Sequence, residues 1–277
     1  MMPPRALGTA FLLALLTAAC PAPAAADDAK KDGLSLTDLS LEVNALLRMH
    51  YFKVTPSQMD RLQKLAKETA EKPRKRKAGQ ASDDLREALE SLHGALVEDL
   101  DDDQIDSLEE RLDDLREAEK PALDDDVEIT DAARRRAPEV LRQLSARQVA
   151  AYIAANSDDL HDPLERLTEA LAKAQELKAR AWKELRDETA EEVGLLVAGL
   201  DEEKSEKVSS KALTLLSRAR GLTAEEFRKQ QPELEKEARR IVGDVQPTDV
   251  LRHAAEYALA DLLSNPRLEA ALKARRK

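Results

Sequence analysis

Leu85, Leu89, Leu92 and Leu96 follow one another at intervals of 4, 3 and 4 residues, and Ile105, Leu108, Leu112 and Leu115 at intervals of 3, 4 and 3. Both series straddle the helical repeat of about 3.6 residues, so each forms one narrow apolar stripe along a helix. A strand turns successive side chains to opposite faces and would scatter these residues. Only a short polar stretch separates the two stripes, and the simplest way to bury both is to fold the helices back on each other as an antiparallel hairpin.

The same period runs through most of the chain. Leu39, Val43, Leu46, Leu47 and His50 share one face of a helix starting near Thr37, and Met59, Leu62, Leu65 and Ala66 do so after Thr55-Pro56. One helix leads to Leu144 and another covers 147–155. From Asp162-Pro163 onward, Leu167, Leu171, Leu177, Ala181, Leu185, Val193, Leu196 and Leu200 lie near one stripe. Unbroken to Gly199, this helix would be about 55 Å long, with Gly194 as its weak point. Further helices are expected at about 202–220, 224–242 with a kink at Pro232, 249–264 and 267–275. No alternating Val/Ile/Thr run bounded by turn residues occurs, so no strand is expected. The reading is an all-α protein, a multi-helix bundle or elongated helical array with an antiparallel hairpin and no sheet. Its expected parts are an N-terminal helical region at 35–120, a linker at 121–130 and a C-terminal helical region at 131–277.

Residues 1–26 read as a secretory signal peptide. Arg5 precedes the apolar run ALGTAFLLALLTAA, and PAPAAA ends at Ala26 with an A-x-A pair. The run is too short to span a bilayer. Cleavage after Ala26 is the first expectation, and lipidation of Cys20 within TAAC is the alternative. A periplasmic or secreted location follows from the first, a membrane-anchored lipoprotein from the second. Cys20 is the only cysteine, so cleavage after Ala26 leaves a chain with no thiol chemistry and no disulfide.

Leu and Ala dominate the apolar content, aromatic residues make up 3% and charged residues 36%, which suits solvated helices. Residues 82–131 hold 21 Asp/Glu against 4 Lys/Arg, while KPRKRK, RRR and the C-terminal RLEAALKARRK form short basic islands. The net charge is −11, or −12 without Arg5, the only charged residue in the expected signal. Phosphate binding needs a contiguous basic face and base stacking needs aromatics, so nucleic acid is excluded as a partner. The partners expected are envelope or secreted proteins, including further copies of this chain. Membrane contact is expected only through the signal or a Cys20 lipid.

Helix starts reuse one device. Thr55-Pro-Ser-Gln58, Ser145-Ala-Arg-Gln148 and Thr223-Ala-Glu-Glu226 read as capping boxes, and Asp101-Asp-Asp-Gln104 as an Asp-capped variant. With the preceding apolar residue, VTPSQ, LSARQ and LTAEE resemble the LTxxQ motif of the Spy/CpxP-like periplasmic proteins. The match covers about five residues at each of three sites, with departures at Val54, Ser145 and Glu226, in a chain about twice the usual family length. The resemblance implies an exported all-helical protein of chaperone-like or metal-responsive character.

DLDDDQIDSLEE (99–110) places Asp99, Asp101, Asp103, Ser107 and Glu110 at oxygen-ligand positions of an EF-hand loop. Gln104 stands where that loop needs Gly, and Asp106 where it needs an apolar residue. The competing reading is an Asp-capped helix start. Glu90-Ser-Leu-His93 has di-iron spacing, but no second E-x-x-H accompanies it. His50, His161 and His253 read as structural or surface residues, and Trp182 as an inter-helix anchor. G-x-S-x-G, G-x-x-x-x-G-K, G-x-G-x-x-G and H-E-x-x-H are all missing. The functional expectation is an exported, non-catalytic binding or scaffold protein of the cell envelope, chaperone-like, with no cofactor. The alternative is a protein responsive to divalent cations, Ca²⁺ first, through the acidic 99–126 region.

Overall fold

Side-chain caps set most helix starts in the computed structural model, which describes residues 34–72, 74, 76, 81–119, 123–157 and 160–276. The expected signal peptide, its cleavage point after Ala26 and Cys20 lie outside the described residues. Among the described residues there are twelve α-helices and no strand. All three expected capping boxes are formed, at Thr55, Ser145 and Thr223. Asp101 accepts from the Gln104 N–H at 3.1 Å, and Ser35, Ser82, Thr130, Asp162 and Asp201 cap further helices. Each such cap satisfies at least one backbone donor that the first helical turn leaves unpaired, and Asp162 satisfies two.

The first core surrounds α1 (Leu36–Tyr51), which is buried on nearly every face. α3 (Asp83–Val97) turns its whole leucine seam inward, with Leu85, Leu89, Leu92 and Leu96 all at 0% exposure. α4 (Asp102–Glu119) buries only Ile105 and Leu112, while Leu108 and Leu115 are half-covered. The two helices form the expected antiparallel hairpin, because Ser82 at the start of α3 bonds Glu119 at the end of α4. The acidic excess of α4 lies on its solvent side. α2 (Pro56–Thr69), α5 (Asp131–Leu141) and α6 (Ala146–Ala155) add Leu62, Ala137 and Tyr152 to this core. So do α11 (Pro247–Ser264) and α12 (Leu268–Ala274), with Leu259, Leu263 and Leu272. The core therefore draws on residues from both sides of the 121–130 segment.

The second core is built by α7 (Pro163–Lys173), α8 (Ala179–Ala198), α9 (Glu202–Gly221) and α10 (Ala224–Val242). Trp182 is 5% exposed within it, with the Arg220 guanidinium 6.0 Å from its ring centroid, in the anchoring role expected of it. α11 joins the two cores, where Val250 and Ala254 pack with Leu196 of α8.

The expected continuous helix from 163 to 199 is instead two helices, and the break is not at Gly194. α7 stops at Lys173, and the turn that follows is held from outside: Gln175 Nε2 donates to the Ala219 carbonyl at 2.7 Å, and Arg220 donates to the Ala174 carbonyl. Tertiary partners thus satisfy the helix end where the sequence has neither Gly nor Pro. Gly194 lies inside α8 because α9 crosses it closely. A Cβ there would stand 2.1 Å from Ser209 Oγ and 2.9 Å from the Ser205 carbonyl. Gly199 ends α8 at φ +61°, and the His253 ring occupies the space a side chain would need.

Candidate functional site

The C-terminal end of α1 meets the hairpin and α6 in a polar cleft of about 580 Å³. α1 ends in a left-handed residue, Lys53 at φ +46°, after which the Val54 N–H reaches the Met49 carbonyl at 3.0 Å. This termination turns Tyr51 and Lys53 toward α4 and leaves His50 in the cleft wall. From the other side, one face of α4 presents Asp102, Asp106, Glu109 and Glu110 at helical spacing. The third wall is α6, whose Ala151, Ala154 and Ala155 leave room beside the charges.

The contacts across the cleft are charged and partly buried. Lys53 pairs with Asp102, and this hydrogen bond first of all holds the Asp102 carboxyl below the usual range. His50 Nε2 lies 3.0 Å from Asp102 Oδ1, while His50 Nδ1 is buried with no partner. Burial pushes the His50 pKa down, and Lys53 adds to that, which favours the neutral ring. The Tyr51 hydroxyl donates to Glu109. Burial raises the pKa of both groups; Glu109 is raised further by Asp113 and Asp106, against the hydrogen bond from Tyr51.

Two further concavities continue from this cleft. One of about 390 Å³ shares Tyr51, Glu109 and Asn156 with it, and one of about 980 Å³ shares Tyr257 with the second. Together they form a trough lined by twelve Asp/Glu and five Lys/Arg. All five cations are paired within it: Arg48 with Asp261, Lys53 with Asp102, Arg116 with Asp125, Arg134 with Glu202 and Arg166 with Glu192. Seven carboxylates, Asp106, Glu109, Glu110, Asp126, Glu188, Glu191 and Glu206, have no cation partner among the described residues. Tyr257, 39% exposed, stands in the middle of the trough.

The five oxygen donors read from the 99–110 segment are dispersed. α4 starts at Asp102, so the segment is helix for most of its length. Asp99 bonds Arg275 of the C-terminal turn, Asp101 caps α4 and Ser107 donates to the Asp103 carbonyl at 2.9 Å. Glu110 alone of the five lines the cleft. Among the described residues no three His, Cys, Asp or Glu side chains converge closely enough to hold a metal ion. Glu90 and His93 also part company: Glu90 pairs with Arg86, and His93 lies 3.2 Å from Glu42. His253 Nδ1 meets the Leu196 carbonyl at 2.9 Å and His161 is exposed.

Sequence reasoning missed the cleft residues Lys53, Tyr51, Asp106 and Glu109, and treated His50 as structural. The one local signal was a polar His-Tyr-x-Lys cluster closing an otherwise apolar helix. No helix among the described residues is long and apolar enough to cross a membrane. Compared with known proteins, the chain matches no family model, no curated protein and no solved structure.

Proposed function

We propose that the chain is an exported, non-catalytic helical binding module of the cell envelope, which holds partner proteins along the acidic trough. The observation that carries this reading is the surplus of seven carboxylates with no cation partner among the described residues, along three joined concavities. Glu109 is crowded by Asp106 and Asp113, and a cationic partner would relieve that repulsion and neutralise the surplus. Tyr257 adds an amphipathic contact of the kind enriched at interfaces. Export rests on the signal-like residues 1–26, and the kinship to Spy/CpxP-like proteins is proposed on the motif sites alone. Two of those sites, VTPSQ and LSARQ, dock on each other through Gln58 and Gln148.

The test is capture from a native envelope extract by the purified chain, followed by an assay for suppressed aggregation of unfolded clients. Expected is salt-sensitive capture of basic proteins that weakens when Glu188, Glu191 and Glu206 are changed to Gln. Capture of nothing, together with no suppression of aggregation, overturns the reading. The second reading, a divalent-cation response through the 99–126 region, is favoured by the crowding of Glu109 with Asp106 and Asp113. Calorimetry showing no Ca²⁺ heat at millimolar concentration, with Asp101/Asp103→Asn as control, would remove it.

A further inference from the structure

The end of α1 is surrounded by charges from three other parts of the chain. His50 is 3% exposed, and its Nε2 lies 3.0 Å from Asp102 at the start of α4. Lys53 shares that carboxylate and stands 3.4 Å from the same ring nitrogen. Asp99, in the turn between α3 and α4, is bonded by Arg275 of the C-terminal turn, and both act on the ring electrostatically. Further along α4, Asp106, Glu109 and Glu110 line the cleft, with Glu109 taken up by Tyr51, whose ring meets His50 edge-on at 5.9 Å. α6 brings no charge to this cleft. Two cations and two carboxylates thus enclose a neutral ring.

Protonation breaks this balance. An imidazolium carries a proton on both ring nitrogens, whatever the tautomer of the neutral ring. His50 Nδ1 is buried with no partner, so in the charged ring it becomes a buried donor without an acceptor. Arg275 Nη1, also buried without a partner, is itself a donor and offers no relief. Burial first, then Lys53 and Arg275, hold the ring pKa down against the pull of Asp102 and Asp99.

The backbone at the same place is poised to move. Lys53 at φ +46° and Asp99 at φ +55° are the two non-glycine residues with left-handed backbone among the described residues. That conformation is costly for any residue with a side chain. Each ends a helix in the same way, with the Val54 N–H on the Met49 carbonyl and the Leu100 N–H on the Ala95 carbonyl. Each is also held by an ion pair, Lys53 by Asp102 and Asp99 by Arg275. When those pairs loosen, the strained turns are free to relax.

We propose that His50 is a proton-operated latch between the end of α1, the turn before α4 and the C-terminal turn. With a neutral ring the two turns are fastened to α1; with a charged ring they are released, while the leucine core behind them stays packed. The folded protein takes this proton less readily than the unfolded chain does. The joint is therefore fully stable above the ordinary histidine pKa of about 6.5 and loses stability as the pH falls from there through the lower folded value. The latch goes beyond the binding reading and does not rest on it.

Hydrogen–deuterium exchange of the full chain at pH 7.5 and 5.0, corrected for the intrinsic exchange rate, reads the release. Expected at pH 5.0 is a loss of protection of about tenfold or more in 99–105 and 271–276, with the amides of Leu89, Leu92 and Leu96 unchanged. The imidazole NMR titration of the same protein should place the His50 midpoint below about 6.5. His50→Gln keeps an amide donor for Asp102 and cannot take a charge, so it assigns the NMR signal and should abolish the pH difference in exchange. Lys53→Asn removes one of the cations that face the ring, and Asn tolerates the left-handed backbone, so the His50 midpoint should rise by about half a pH unit. The Lys53 side chain is open to solvent, and this variant tests the charge balance even where His50→Gln does not fold. The proposal is overturned by a His50 midpoint at or above about 6.5, or by protection that is kept at pH 5.0 or lost throughout the molecule. A pH difference that survives in His50→Gln, or an unmoved midpoint in Lys53→Asn, overturns it as well.

Discussion

Gln58 and Gln148, 90 residues apart in the chain, pair amide to amide, each Nε2 donating to the other's Oε1 at 3.2 and 2.9 Å. Each Oε1 also accepts the backbone N–H of its own helix cap, Thr55 or Ser145, at 2.9 and 3.0 Å. Gln148 Nε2 further donates to the carbonyls of Phe52 and Lys53, so one side chain caps α6, joins two motif sites and fixes the end of α1. Behind this pair the Phe52 and Tyr152 rings stack at 4.3 Å and 6°. Gln148→Ala should therefore cost about 2–3 kcal/mol, since it removes a cap and strands partners at a partly buried joint. Glu226→Ala, which removes only a solvent-exposed capping partner, should cost clearly less. Urea denaturation of both, and a Gln58→Ala/Gln148→Ala cycle with coupling above about 0.5 kcal/mol, checks the claim.

Two helical glycines should respond with opposite sign. Gly94 in α3 has nothing within 4 Å of the position a Cβ would take, so Gly94→Ala should stabilise by about 0.5–1 kcal/mol through helix propensity. Gly194→Ala brings the methyl group against Ser209 Oγ and the Ser205 carbonyl, and the overpacking should cost about 1–3 kcal/mol net. Adding Ser209→Ala relieves only the side-chain clash, because the Ser205 contact is backbone. Partial recovery in the double variant is the expected result, and thermal melts would read it.

Glu109 ties the cleft to stability in a pH-dependent way. Its pKa is raised in the folded protein, by burial first and then by Asp113 and Asp106. A carboxylate with a raised folded pKa binds its proton more tightly in the native state, so it adds nothing unfavourable below the ordinary glutamate pKa. Its ionisation costs stability as the pH rises from there through the folded pKa. Glu109→Gln keeps an acceptor for Tyr51 and removes the charge. The variant should be more stable than the parent at pH 7 and no more stable at pH 3.5, as measured by denaturation midpoints at the two values. An advantage that is equal at both pH values would mean that the charge is not responsible.

The helix starts are legible in the sequence because a cap is a local device: Thr55 and Gln58, or Ser145 and Gln148, satisfy each other within one turn. The leucine seam of α3 is legible for the same reason, as a period written in adjacent turns. What is not legible is set by distant partners. The stop after Lys173 depends on Arg220 and on the Ala219 carbonyl, and nothing between 173 and 178 announces it. Gly194 reads as a weak point until the crossing of α9 is known. In the same way the candidate cleft is hidden: Glu109 and Asp106 look like any other of the 21 acidic residues in 82–131. Only the docking of α4 against the end of α1 sets them opposite Tyr51 and His50.

The strongest case of this kind is the polar junction where α2 ends, α5 begins and α11 ends. Thr69 Oγ1 donates to the Leu263 carbonyl at 2.7 Å, and the Glu71 N–H reaches the Ser264 carbonyl at 2.7 Å. Thr130, the cap of α5, donates its hydroxyl to the Thr69 carbonyl at 2.7 Å and its N–H to Ser264 Oγ at 3.0 Å. Next to it, Asn265 Nδ2 donates to the Leu41 carbonyl at 2.8 Å. Thr69 and Ser264 are fully buried and Asn265 is 1% exposed, so water cannot replace a lost partner without rearrangement. Ser264→Ala deletes the acceptor of the Thr130 N–H and should cost about 1–3 kcal/mol. Asn265→Ala loses the Leu41 bond together with the Arg267 N–H contact at 2.8 Å, and should cost at least as much. The two residues are consecutive in one buried junction, so the double variant should depart from additivity by more than about 0.5 kcal/mol. Loss of only a few tenths of a kcal/mol in Ser264→Ala, read from the urea midpoint, would show that this junction is not what fastens α11 to α5.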